Sequence, residues 1–225
     1  MIVLGIETSS PACSIGVVDG KGGRWVSSLV DQHVHSDMIV TLIRRALESA
    51  HLGLDKLESV AVSAGPGSFT GLRIGMSAAK GLCRALSIPL VAVPTFEAVA
   101  CEAFDRNSTA PAVMVAVDAK RDDFYIALFA REANGCRAIA PAAVVAFSEI
   151  RPALGPVHLI CTDRADRLQK HLGPEITVMA IEQFLSGARV AALGREAALR
   201  GHVSDIMTIE PLYLKDFVVR PRPEH

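Results

Sequence analysis

Between Ala64 and Gly75 the chain reads AGPGSFTGLRIG, a glycine-rich segment leading into a run of helical periodicity. A glycine loop between a strand and a helix N-terminus presents backbone N–H groups that suit an anion. Gly65, Gly67, Ser68, Thr70 and Gly71 therefore form a candidate anion- or nucleotide-adjacent loop. It is not a Walker A loop, because Leu72-Arg73 stands where that motif needs its lysine. The competing reading is structural: Gly65, Pro66 and Gly67 make a tight turn and Thr70 caps the helix. Spacing alone favours this second reading.

Two carboxylates stand out by position. Glu7 and Asp118 each end an apolar strand, and strand C-termini are where α/β folds place their sites. Neither has a visible catalytic companion. The adjacent acids Asp122 and Asp123 are expected to face water. Among seven histidines only His33 and His35 are close, and no H-E-x-x-H or H-x-x-x-H spacing exists, so no helical metal site is expected. No G-x-S-x-G elbow is present. The five cysteines are widely spaced, without a C-x-x-C pair, and are expected to be buried free thiols of a reducing compartment.

The 225 residues are long enough for one large domain or two small ones. Half are hydrophobic and 21% charged, which excludes a disordered chain. The longest apolar stretches, 110–117 and 138–147, fall far short of the roughly 20 residues of a membrane helix. Met1–Ile6 has the pattern of a strand, not of a leader, so a cytoplasmic location is expected. Charge is balanced in both halves: 9 basic and 10 acidic side chains before Asn107, 14 of each after it. Without a basic surplus, nucleic-acid binding by this chain alone is not expected.

The elements that position these residues follow from pattern. Ile2–Ile6, Ala12–Val18 and Trp25–Val30, separated by a Pro-containing corner and a glycine-rich turn, predict an antiparallel meander. Helices are predicted from Ser36 to Ala50, about Thr70 to Leu86, and Thr95 to Phe104, with strands Val60–Ser63 and Leu90–Val93 between them. This β-β-β-α-β-α-β-α order implies a mixed sheet flanked by helices, the layout of a ribonuclease-H-like half-domain. Asn107–Pro111 is a plausible boundary, so lobes of 1–106 and 107–225 are expected. The second half repeats the opening with strands Ala112–Val117 and Phe124–Phe129, pointing to a diverged duplication. Beyond it lie strand 157–161, helices 164–172 and 186–200, and an extended end over 211–219.

The stretch Gly65–Gly75, with Ala79-Lys80-Gly81-Leu82, closely resembles the signature of the bacterial TsaB family. Ile6-Glu7-Thr8-Ser9, Val117-Asp118-Ala119-Lys120-Arg121 and Pro211-Leu212-Tyr213-Leu214-Lys215 agree with it. Glu7 stands where Asp is usual and Lys120 where Arg is frequent; both changes keep the charge. The resemblance implies an actin-like fold of two ribonuclease-H-like lobes. It also implies a non-catalytic partner of a TsaD-type subunit in making N6-threonylcarbamoyladenosine at position 37 of tRNA. A TsaE-type P-loop ATPase would join the pair, and tRNA would be met only through the complex. The metal motif of the TsaD relative does not carry over, since Val93–Val99 holds no histidine. No cofactor of its own is implied, though a nucleotide at the complex interface would be compatible.

On the first predicted helix, Ile39, Ile43, Ala46, Leu47 and Ala50 make an inward face, which would leave Met38 and Leu42 as surplus apolar surface; core packing on both sides is the comparable alternative. On the second, small residues Gly71, Gly75, Ala78 and Ala79 would admit a close neighbour. Met38, Leu42, Arg45, Leu72, Gly75, Met76 and Cys83 are therefore the expected partner contacts. Without a partner the same surface would support a homodimer. The alternative function is an actin-like enzyme, a phosphotransferase or a peptidase-labelled relative with its own active site. A second phosphate loop or metal-ligand histidines would mark it, and the sequence shows neither set.

Overall fold

The computed structural model describes residues 1–30, 35–133, 135–155 and 157–212. It holds two mixed sheets. In the first, β1 (Val3–Glu7) pairs antiparallel with β2 (Ala12–Val18), and β2 with β3 (Arg24–Val30). β4 (Ser59–Ser63) and β5 (Leu90–Val93) then add in parallel, giving the order β3-β2-β1-β4-β5. β1, β2 and β4 are buried along their whole length, which explains why they appear as continuous apolar runs. α1 (His35–Ser49) and α2 (Phe69–Leu86) cover one face.

The second sheet repeats that plan. β6 (Ala112–Asp118), β7 (Asp123–Glu132) and β8 (Gly135–Ala138) form the meander; β10 (Leu159–Thr162) and β11 (Thr177–Ala180) add in parallel beside β6. The order β8-β7-β6-β10-β11 matches the first sheet strand for strand, with the same sense at each pairing. A further short strand, β9 (Ala143–Ala146), also pairs with β7. α4 (Ile150–Ala153) and α5 (Ala165–Leu172) pack on one face. The fold is thus the expected actin-like one of two ribonuclease-H-like lobes.

The third helix of each half belongs to the other half's sheet. α3 (Thr95–Arg106) packs Phe96, Val99, Ala100 and Phe104 against Val113, Val115 and Phe129 of the second sheet. α6 (Gly187–Leu199) packs Val190 and Ala191 against Val3, Ala61 and Val91 of the first. The close approach of α6 depends on absent side chains. A Cβ at Gly5 would lie 2.0 Å from the Gly187 carbonyl oxygen, and one at Gly16 would lie 2.1 Å from the Ala188 nitrogen. Ser14 Oγ accepts a hydrogen bond from the Gly187 N–H at 3.0 Å. Between the two exchanged helices, Arg189 is buried and bridges Glu102, at 3.0 Å, and Asp105. A division at 106/107 therefore separates the two sheets but parts α3 and α6 from the sheets they cover.

After α6 the chain returns along the first sheet. Ser204 donates its N–H to the Leu90 carbonyl at 2.8 Å and accepts from the Ala92 N–H at 3.0 Å through its hydroxyl. Ile206 and Ile209 pack on the first core, and the Leu212 N–H reaches the Ala64 carbonyl at 2.7 Å. The expected extended end lies, beyond Leu212, outside the described residues, as does His33. No helix among the described residues is long and apolar enough to cross a membrane.

Candidate functional site

The glycine loop follows β4, and the corner Thr8–Pro11 follows β1. Because β1 and β4 are parallel neighbours, both loops leave the same end of the sheet and meet there. The Ser68 N–H donates to the Ser9 carbonyl at 2.6 Å. A Cβ at Gly67 would lie 2.5 Å from that same carbonyl oxygen, and one at Gly71 would lie 2.0 Å from the Thr8 carbonyl oxygen. The glycines are needed because the Thr8–Ser9 backbone rests directly on the loop and on the first turns of α2.

This contact accounts for much of what suggested an anion cradle. The Gly65 N–H donates to Thr95 Oγ1 at 3.1 Å and its carbonyl accepts from the Thr95 N–H at 2.9 Å, joining the loop to the start of α3. Gly65 has φ +105°, a left-handed value glycine adopts freely, and the Gly65–Pro66 peptide is cis. Ser68, not Thr70, is the N-cap: its hydroxyl accepts from the Gly71 N–H at 3.2 Å. Its carbonyl accepts from the Leu72 N–H at 2.9 Å. The amides of Gly65, Ser68, Gly71 and Leu72 are thus all engaged within the chain, and Thr70 is exposed. The guanidinium of Arg73 lies 4.0 Å above the Phe69 ring.

Glu7 is completely buried at the floor of this junction. One carboxyl oxygen accepts from the Ser9 N–H at 2.6 Å; Oε2 is buried without a hydrogen-bond partner, as is the hydroxyl of Thr8. Burial pushes the Glu7 carboxyl above its ordinary value, and hydrogen bonds from Ser9 and Ser63 oppose that only in part. Asp118 occupies the corresponding strand end of the second sheet in a different setting. Its carboxyl accepts from Arg164 Nε at 3.0 Å, the Lys120 N–H at 2.8 Å and Lys120 Nζ at 3.3 Å. Partial burial pushes this carboxyl up, but the bonds from Arg164 and Lys120 together outweigh it and hold it below its ordinary value. Neighbouring Asp163, raised by burial, accepts from the Asp118 N–H at 3.0 Å. The two carboxylates lie at corresponding strand ends of separate sheets, each with its own set of partners.

The expected partner surface is rearranged. Leu42, Leu72, Met76 and Cys83 are all at most 4% exposed and belong to the core; Leu42 is not surplus surface. Residues 38, 39, 42, 43, 46, 47 and 50 form one broad helical face, since α1 meets a sheet and α2 at once. Gly75 is buried against the Thr8 hydroxyl, which a Cβ would approach to 2.2 Å. Of the expected contacts Arg45 is exposed and Met38 half-buried. Periodicity missed others: Val40 is 71% exposed on α1, and Arg73, Ser77 and Arg84 line the outer face of α2 beside half-buried Ile74, Ala78 and Leu82. Between α2 and the returning chain lies a shallow cavity of about 290 Å³, walled by Arg73, Met76, Ser77, Lys80, Ile209, Glu210 and Pro211.

A family model described as TsaD, tRNA N6-adenosine threonylcarbamoyltransferase, matches residues 29–206. The chain is 31% identical over 132 residues to the tRNA threonylcarbamoyladenosine biosynthesis protein TsaB of Haemophilus influenzae, and 31% over 141 residues to that of Escherichia coli. Those stretches cover 59% and 60% of this chain but only 55% and 58% of the relatives' own length. A crystal structure from Pseudomonas aeruginosa, described as an uncharacterized protein with similarity to peptidase YEAZ, superposes with a TM-score of 0.83. It has 22% identity and covers 95% of this chain and 99% of its own. Its agreement in fold, and the family match across most of the chain, converge with the glycine-loop signature: the chain belongs to the TsaD family and is a TsaB/YeaZ-like member of it.

Proposed function

We propose that this protein takes part in forming N6-threonylcarbamoyladenosine on tRNA as a non-catalytic subunit. It pairs with a TsaD-type catalytic subunit, is joined by a TsaE-type ATPase, and meets tRNA through that complex in the cytoplasm. In the partner's absence the same face pairs two copies of the chain. The observation that carries the reading is the outer face of α1 and α2. On α1 Val40 is 71% exposed and Arg45 is exposed; on α2 Ile74, Ala78 and Leu82, half-buried against the core, alternate with exposed Arg73 and Arg84. An apolar strip with an arginine rim has the chemistry of a protein interface. The interior placement of Glu7 and the engaged glycine loop support a scaffold more than a centre that must admit substrate.

The test is reconstitution. The chain mixed with a TsaD-type protein should co-elute and support tRNA modification, and the chain alone should modify nothing. The double variant Val40→Glu, Arg45→Glu, placed on exposed positions of α1, should keep the Tm of the parent and lose both co-elution and modification. Undiminished co-elution would remove this face from the reading, and turnover by the isolated chain would replace it with the enzymatic alternative.

A further inference from the structure

Two of the five cysteines face each other across the junction of α3 and β8. Cys101 Sγ and Cys136 Sγ are 2.6 Å apart, well inside the ordinary contact of two thiols. Cys101 is 3% exposed in the middle of α3; Cys136 is half-buried on β8, with its sulfur 3.7 Å from the Glu97 carbonyl one helical turn before Cys101. Cys13, Cys83 and Cys161 are buried in the interior. We propose that Cys101 and Cys136 are a modification site, a dithiol that a low-molecular-weight disulfide such as oxidised glutathione converts into a cross-link between α3 and β8.

The exchange balances without other reactants. The Cys136 thiolate attacks one sulfur of the small disulfide, forming a mixed disulfide and releasing one small thiolate. Cys101 Sγ then attacks the Cys136 sulfur and expels the second. Two protein thiols are oxidised, one disulfide is reduced to two thiols, and the protein's two protons end on them. Cys136 is the point of entry because it alone of the pair reaches solvent. The neighbouring Cys101 thiol and burial push the Cys136 thiol up, so the first step is slow near neutrality and quickens with pH. The cross-link fastens α3, whose first residue holds the glycine loop through Thr95, to the edge of the second sheet.

The test incubates the full chain with oxidised glutathione at pH 8.5, then maps peptides by mass spectrometry without reductant. The expected result is a linked pair of peptides carrying Cys101 and Cys136, two hydrogens lighter than their sum, with three thiols left to titrate after denaturation. Tm should rise by roughly 5–10 °C and return on adding dithiothreitol. Cys136→Ser should lose both the link and the shift while matching the reduced parent in Tm. A lasting glutathione adduct at Cys136, five titratable thiols, or the same Tm shift in Cys136→Ser would each overturn the proposal.

Discussion

Gly75 and Gly81 lie in the same helix, six residues apart, and alanine at each should act in opposite directions. Glycine inside a helix costs about 1 kcal/mol relative to alanine. At Gly81 an added Cβ meets no heavy atom within 4 Å, so Gly81→Ala keeps the whole gain, which in a chain of this size raises Tm by roughly 2–4 °C. At Gly75 the Cβ would stand 2.2 Å from Thr8 Oγ1 and 3.4 Å from Ile6 Cγ2. Thr8 is fully buried on a short side chain, so it cannot swing into solvent, and α2 must lift from the β1 corner. Overpacking of this kind costs about 1–3 kcal/mol, which cancels the gain and leaves a net loss of up to about 2 kcal/mol. The two variants should then separate by about 1–3 kcal/mol in urea unfolding followed by circular dichroism, with Gly75→Ala the less stable. Equal stabilisation of both would show that α2 does not rest on Thr8. Normal stability of Gly75→Ala with lost co-elution would assign the glycine to a partner instead.

Three other perturbations test separate parts of the structure. Glu7 has a raised folded-state value, so the fold favours its protonated form, and this contribution fades as pH rises from the ordinary glutamate range through the folded value. Glu7→Gln should therefore gain on the parent in Tm between pH 4 and pH 8, and a difference that does not vary with pH would refute a raised Glu7. Arg189→Ala should cost about 2 kcal/mol, because Glu102, with 15% of its side chain exposed, loses its bond across to α6 and keeps only Arg106 of its own helix; a Tm within one or two degrees of the parent would show that the bridge contributes nothing. Ser68→Ala removes the α2 cap and should cost about 1 kcal/mol in urea unfolding, whereas Thr70→Ala should be nearly silent; the reverse order would restore Thr70 as the cap.

The first half of the chain was legible because its elements announce themselves. β1, β2 and β4 are continuous apolar runs, and the Leu90–Val93 strand follows a Ser87-Ile88-Pro89 break, so period and punctuation agree. β8, β9 and β11 are four-residue strands at or near a sheet edge, where half-exposed residues need not alternate, and pattern alone did not find them. The glycine loop was found, but its purpose was not: nothing local says that Thr8 and Ser9, some sixty residues earlier, lie against Gly67 and Gly71. For the same reason the sequence leaves Leu42 open between surface and core. A helix touching one neighbour buries a narrow stripe, and only the tertiary position of α2 shows that α1 has two.

The exchange of α3 and α6 governs how the protein can be made. A fragment ending at Arg106 would carry a five-stranded sheet with the floor over Gly5 and Gly16 left open, and a helix built for a sheet that it lacks. The complementary fragment would begin with a bare β6 and carry after its own sheet a helix and a returning segment that have nowhere to lie. During translation the earliest strands must wait, one face wet, until residues near 190 leave the ribosome. Neither piece should be soluble on its own, yet the two expressed together should find each other, since each brings the cover that the other is missing.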